Sequence, residues 1–144
     1  MEQNGNLLDH AVAYFNTDVA VSGPNFSAAA TPSLRQFLRE VTRSVPSPVG
    51  GTVYQQWRAK SQATGKPPSP DEEVRVGDLG SGSDFTPFFQ HAGVPSTDIS
   101  SGGPYGVYHS AFDNYAWFTH NADPNFVYLQ QMARVLGLDR KSVV

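Results

Sequence analysis

The chain has 144 residues, of which 39% are hydrophobic and only 16% charged, with a net charge of −3 and no cysteine. That composition excludes disulfides and thiolate metal sites. The ten Lys and Arg are scattered rather than gathered into the basic face of a nucleic-acid binder, and no run approaches the ~18 apolar residues of a membrane span.

One complete domain of this length would bury roughly 70% of its unfolded surface. Ordinary domains carry ~25% charged residues, so this surface leans on Ser, Thr, Asn, Gly and Pro. The low charge suggests an extracytoplasmic or secreted protein, although Met1 to His10 lacks the basic start and apolar run of a signal peptide. Any metal must use His, Asp or Glu, a donor set that suits zinc in a hydrolytic site.

In chain order, residues 2–10 read as the end of a polar helix or a loop. Ala11 to Phe15 (AVAYF) is a short apolar run closed by Asn16-Thr17-Asp18, the pattern of a strand buried inside a parallel or mixed sheet. Thr31-Pro32-Ser33 starts a helix, with a hydroxyl before proline, and Leu34, Phe37, Leu38 and Val41 follow at helical spacing. Pro46 to Gly51 breaks it. Thr52 to Ala59 predicts a second helix with Val53, Tyr54 and Trp57 on one face, and Gln62 to Asp71, with three prolines, an exposed loop. Val74 to Val76 reads as a brief strand. Leu79 to Asp84 leads into a helix over Phe85 to Ala92, capped by Ser83 or Asp84 and stopped at Gly93. Val94 to Ser100 reads as a buried strand and Ser101 to Gly106 as a glycine-rich loop. Asp123-Pro124 caps a last helix, Asn125 to Leu136, ended by Gly137. Alternating strands and helices predict an α/β fold. The tail Asp139 to Val144 (DRKSVV) has no packing logic, so the expectation is one unit over 1–138 and a non-native tail over 139–144.

Two residues have the chemistry and position of ligands. Asp18 ends a buried strand, at the sheet edge where open α/β folds bind ligands; it either holds a cation there or caps a turn. His109, in PYGVYHSAFDNY, either ligates a metal through one ring nitrogen or is a half-buried histidine at a helix start. The loop LGSGSDF opens a helix, whose electropositive N-terminus could receive a carboxylate or peptide backbone; it lacks a phosphate-loop lysine, and its other reading is a tight connection. His10, His91 and His120 read as surface or capping residues. Phe85, Phe88, Phe89, Trp117 and Phe118 read as core.

Taken together and in order, AVAYFNTDVAVSG (Ala11 to Gly23), LGSGSDFTPFFQHAGVPS (Leu79 to Ser96) and GGPYGVYHSAFDNYAWF (Gly102 to Phe118) resemble the glutamate carboxypeptidase II and transferrin receptor family of two-zinc exopeptidases. The resemblance covers nearly the whole chain up to Leu138. It implies a three-layer α/β/α fold with a mixed, mostly parallel sheet, of which this chain is the C-terminal part. By the same resemblance Asp18 ligates one Zn²⁺ and His109 the other, Tyr108 donates to the oxyanion formed when water attacks a peptide carbonyl, and Ser81, Gly82 and Ser83 line the substrate cleft. Position 83 departs from the carboxypeptidase, which carries an amide side chain there, and the stretch from Pro95 to Tyr105 has no arginine, so preference for acidic terminal residues is not supported.

The family's other zinc ligands and its glutamate general base precede the position of Asp18, and no segment here matches them. The family also dimerises through a later helical domain. The expectation is therefore a peptidase fragment that is inactive alone and poorly soluble, its sheet edge being uncovered. A receptor-like binding domain of the same fold is the alternative, and the retained Asp18 and His109 argue against it.

Overall fold

A computed structural model of the chain describes residues 8–63 and 73–142. Residues 2–7 and the proline-rich part of the 62–71 loop lie outside the described residues. Three strands, β1 (Tyr14–Asn16), β2 (Asn25–Ala30) and β3 (Ser96–Gly102), form one sheet in the order β1-β3-β2. β1 runs parallel to β3, with Asn16 opposite Asp98; β2 runs antiparallel to it, with Asn25 opposite Gly102. The fold is thus α/β with a mixed sheet. It is not mostly parallel, since one of its two pairings is antiparallel and is the longer one.

Three helices, α1 (Arg35–Ser44), α2 (Val53–Ala63) and α3 (Val127–Ser142), supply most of the remaining core. Local chemistry accounts for each. A 3-10 turn, Pro32–Leu34, precedes α1, and Thr31 makes no side-chain cap there because its hydroxyl turns to Ser33 and to the Ser96 carbonyl. Leu38, Val41 and Thr42 are the buried face, with Leu34 and Phe37 packed beside it. Helix α2 opens on a reciprocal cap, in which Gln55 N donates to Thr52 Oγ1 at 3.2 Å and Thr52 N to Gln55 Oε1 at 2.9 Å. It runs past the expected end at Ala59 and buries Val53, Tyr54 and Trp57. The Trp57 ring meets Phe26 edge-on at 5.1 Å, fastening α2 to β2.

Helix α3 is capped by buried Asp123, whose two oxygens accept from Val127 N at 2.9 Å and Leu129 N at 2.8 Å. It does not stop at Gly137. An interior glycine costs only about 1 kcal/mol, and continuing the helix keeps Leu136 and Leu138 against the core.

The segment Glu73 to Val76 alternates exposed and buried residues as a strand would, yet among the described residues its backbone pairing with the sheet is limited to the adjoining Gly77–Ala29 bridge. Side chains hold it instead. Arg43 Nη2 reaches Glu73 at 2.6 Å, Tyr54 Oη donates to the same carboxylate at 2.8 Å, and Arg39 Nε donates to the Val74 carbonyl at 2.9 Å. The guanidinium of Arg43 also lies 4.3 Å over the Tyr54 ring.

The two faces of the sheet differ. Ile99, Phe26 and Ala30 belong to the apolar core, and Phe15 approaches Phe37 of α1 at 6.4 Å on that side. On the opposite side Tyr14 stacks on Phe88 at 4.1 Å, placing the Phe85 to Ala92 turn over β1. That turn is π-helical over Pro87–His91 and reverses at Gly93 with φ 67°. Phe85 is buried, whereas Phe88, Phe89, Trp117 and Phe118 are only partly so.

Beyond β1 the backbone is pinned by two glycines. Ser22 N and Gly23 N both donate to the Ser101 carbonyl, at 2.8 and 3.1 Å. A Cβ on Gly103 would lie 2.6 Å from the Ser22 oxygen, and one on Gly23 2.5 Å from the Gly103 Cα. Both obstacles are backbone, so Gly103→Ala is expected to cost roughly 1–3 kcal/mol as overpacking does, read as a lower denaturant midpoint.

The Glu73 carboxyl is held below its ordinary value of 4.5, chiefly by Arg43 and then by the Tyr54 hydroxyl. A lowered folded-state pKa contributes stability above the unfolded value, and that contribution is lost as pH falls through the folded one. Glu73→Gln is therefore expected to flatten the acid limb of a stability–pH curve; an unchanged limb would show that this network carries no acid sensitivity.

Candidate functional site

Parallel pairing of β1 with β3 sets the ends of both strands on one rim, and the chain leaves β1 there through Thr17 and Asp18. The loop from Leu79 to Asp84 reaches the same rim. So does the turn Val107 to Ser110, closed by Ser110 N donating to the Val107 carbonyl at 3.0 Å. Between them opens a cleft of ≈ 580 Å³ lined by Asn16, Thr17, Asp18, Gly82, Ser83, Asp84, Tyr108 and His109, with Tyr14 behind them. Five of the six residues that sequence singled out as candidates, Asp18, Gly82, Ser83, Tyr108 and His109, thus share one cavity. The sixth, Ser81, is exposed and is not among its lining residues.

The centre of this rim is Asn16, 4% exposed. Its amide nitrogen stands 3.2 Å from Asp18 Oδ1, 3.0 Å from Ser83 Oγ and 3.0 Å from Asp98 Oδ1. Ser83 Oγ in turn donates to Asp18 Oδ1 at 2.9 Å. The Ser83 hydroxyl is therefore engaged with Asp18 rather than capping the following turn, where only its carbonyl accepts, from Thr86 N. Asp18 Oδ1 is fixed from two sides, while Oδ2 accepts no hydrogen bond from the described residues.

Burial pushes the Asp98 carboxyl up, the Asn16 amide pulls it back, and the nearby charge of Asp18 pushes it up further. The Tyr14 hydroxyl is likewise raised, first by burial and then by Asp84 and Asp18. The rim is thus electronegative, the setting in which a cation is favoured.

The opposite wall is aromatic. His109 stacks on Tyr108 with centroids 3.8 Å apart, and Tyr108 leans on Tyr105, which leans on Trp117. Tyr105 Oη donates to Asp113, which raises the phenol's pKa. His109 has φ 58°, a left-handed conformation uncommon for any residue but glycine and several-fold enriched in His, Asn and Asp. Tyr108 and His109 are both exposed to the cleft's solvent.

Asn16, Asp98 and Asp84 were not among the residues expected at the site. Asn16 reads in sequence as a turn former, and Asp98 sits inside a run read as a buried strand. The available signal was polarity: an Asn closing an apolar strand, and a carboxylate within Ser96-Thr97-Asp98, both need partners if buried.

The profile of peptidase family M28 matches residues 2–129. The chain is 41% identical over 143 residues to "Probable glutamate carboxypeptidase LAMP1" of Arabidopsis thaliana, a match covering 96% of this chain and 19% of that protein. It is 42% identical over 135 residues to "Probable glutamate carboxypeptidase AMP1" of the same plant (92% and 18%). With "Aminopeptidase NAALADL1" of Mus musculus it shares 30% identity over 146 residues (91% and 19%). The chain spans about a fifth of the length of the curated relatives it matches.

Asn16→Ala would leave acceptors on Asp18, Ser83 and Asp98 short of a donor. The expected cost is about 1–3 kcal/mol of stability, with Asn16→Asp costing more because it adds a third carboxylate. A urea titration in which Asn16→Ala matches the parent would remove this amide from its central place.

Proposed function

The chain belongs to peptidase family M28, and on that premise we propose that it is the part of a zinc-dependent exopeptidase that supplies Asp18, Tyr108 and His109 to a two-zinc site hydrolysing terminal peptide bonds. The observation that supports this reading is the meeting of these three residues, from segments far apart in sequence, with Gly82 and Ser83 around one cleft. Relatives named as glutamate carboxypeptidases and as an aminopeptidase both fit an exopeptidase.

The donors suit zinc in type, a carboxylate and an imidazole. In number they fall short. Among the described residues no three or more His, Cys, Asp or Glu are grouped to hold an ion, and zinc sites use three protein ligands or more. In this reading the other ligands and the general base come from outside the chain. Zinc, when bound, lowers the pKa of water and polarises the peptide carbonyl.

The chain's own residues set the geometry for that chemistry. Ser83 and Asn16 hold Asp18 Oδ1, so the carboxylate presents Oδ2 without having to rotate. His109 gains a fixed ring plane from Tyr108. The Tyr108 hydroxyl donates to the oxyanion, and Gly82 and Ser83 receive the peptide backbone. The complete enzyme carries this sheet in a three-layer α/β/α fold and works outside the cytoplasm, as the low surface charge suggests. It forms a homodimer through a helical domain. No described helix is long and apolar enough to cross a membrane.

The purified chain, given zinc, is expected to hydrolyse no peptide. Hydrolysis that a chelator blocks and His109→Ala abolishes would refute the division of the site between this chain and the rest. In the full-length enzyme, Asp18→Ala or His109→Ala should abolish zinc-dependent hydrolysis. Tyr108→Phe should lower kcat by about 10²–10³-fold with KM nearly unchanged; an unaltered kcat would sink the oxyanion role.

A further inference from the structure

Away from the cleft, helix α3 carries a polar group that nothing in the described fold uses. Gln131 is 3% exposed, yet no described residue hydrogen-bonds its side-chain amide. A buried amide costs free energy until it is paired, and buried polar groups are for that reason nearly always paired. Among the described residues, the fully enclosed side-chain atoms without a partner are the hydroxyls of Thr17, Thr86 and Thr97. The Gln131 amide is therefore open on one side, and that side is a groove between α3 and the Pro46 to Gly51 loop.

Gln131 lines two cavities in this groove. One, of ≈ 320 Å³, is walled by Phe26 of β2, Val53 and Trp57 of α2, and Tyr128 of α3. The other, of ≈ 130 Å³, lies between Pro46, Pro48 and Arg134. Neither shares a lining residue with the candidate cleft. The walls are held in place. Ser47 N donates to the Gly51 carbonyl at 2.9 Å and Gly50 N to the Ser47 carbonyl at 3.1 Å, which closes the loop on itself. Gln56 Nε2 donates to the Gly50 carbonyl at 2.8 Å and ties that loop to α2. A preformed, mainly apolar concavity with a few converging polar groups is the usual form of a small-ligand site.

Helix α3 sets the order of the chemistry. Tyr128, Gln131 and Arg134 are spaced three apart, so each neighbours the next on the helix surface, over about 9 Å of helix. Tyr128 puts a ring in the cavity that Trp57 lines. Gln131 offers both an N–H donor and a carbonyl acceptor. Arg134 is exposed, and no described residue pairs with its guanidinium. The complement of that series is an apolar acyl group, a secondary amide and a carboxylate. The amide answers both functions of Gln131, and the carboxylate matches the guanidinium. We propose that this groove binds an N-acyl amino acid, with its acyl group beside Trp57 and Tyr128, its amide on Gln131 and its carboxylate on Arg134.

The test titrates the whole chain with benzoylglycine by ligand-observed nuclear magnetic resonance. Circular dichroism checks that each variant keeps the helical content of the parent. Benzoylglycine should bind the parent chain and, equally well, His109→Ala, which alters the cleft. Arg134→Ala should weaken it by about tenfold or more, while N-methylbenzamide, which has no carboxylate, binds as before. Gln131→Met keeps the bulk and removes the amide, and should weaken both compounds. Should that buried substitution misfold the chain, the exposed Arg134→Ala still decides. No binding to the parent overturns the site, as does equal affinity of the parent and Arg134→Ala for benzoylglycine, or loss of binding in His109→Ala. A polypeptide terminus carries the same amide and carboxylate. A longer peptide ending in Phe-Gly is expected to bind no better than benzoylglycine; tighter binding overturns the free amino acid derivative in favour of a chain terminus.

Discussion

One amide group organises the functional rim. Asn16 belongs to β1, yet its nitrogen is within hydrogen-bond distance of an oxygen on the following loop, one on the Leu79 to Asp84 loop and one on β3. A neutral donor is what this place requires. Two carboxylates approach it, and the charge of Asp18 adds to the burial that raises the Asp98 carboxyl. A primary amide offers two N–H groups without adding charge, so it bridges them where a third acid would drive them apart and a lysine would neutralise the site. The three acceptors share two hydrogens, and Ser83 supplies the missing donor to Asp18.

The consequence is a division of labour between the two carboxylates. Asp98, half-buried and read upward by its surroundings, behaves as a support. Asp18 is exposed on the cleft side with one oxygen committed to the protein. The aromatic wall is built on a different principle. Tyr105, Tyr108, His109 and Trp117 hold one another by ring contact, so the Tyr-His pair keeps its orientation in a loop that has few buried neighbours. The left-handed backbone of His109 belongs to the same arrangement, and strained conformations of this kind are found where a site dictates them.

What joins the two walls is the glycine contact behind them. Residues 22–23 continue past β1 and lie against 101–103. Backbone can approach backbone this closely only without a Cβ on either side. The loop that carries Tyr108 and His109 therefore starts from a point fixed relative to the segment that follows β1 and carries Asp18. The polar rim, the aromatic wall and the glycine contact are three local solutions to one demand, that residues far apart in sequence keep a constant separation.

Much of this was open to reading from sequence. Helical periodicity placed the buried faces of α1 and α2 on Leu38, Val41, Val53, Tyr54 and Trp57, because a single amphipathic stripe is a local property. Asp18, Gly82, Ser83, Tyr108 and His109 were singled out through the resemblance of their segments to a family, and the structure sets these five around one cleft. Tertiary structure alone decided the rest. Val74 to Val76 alternates like a strand, but whether it joins a ladder depends on a neighbour, and the neighbour offered is a set of arginines. Gly137 stops a helix only if nothing beyond it has a place in the core, and Leu138 has one. Asn16 and Asp98 looked like a turn former and a strand residue, because a hydrogen bond between positions so far apart leaves no trace in the periodicity of either segment.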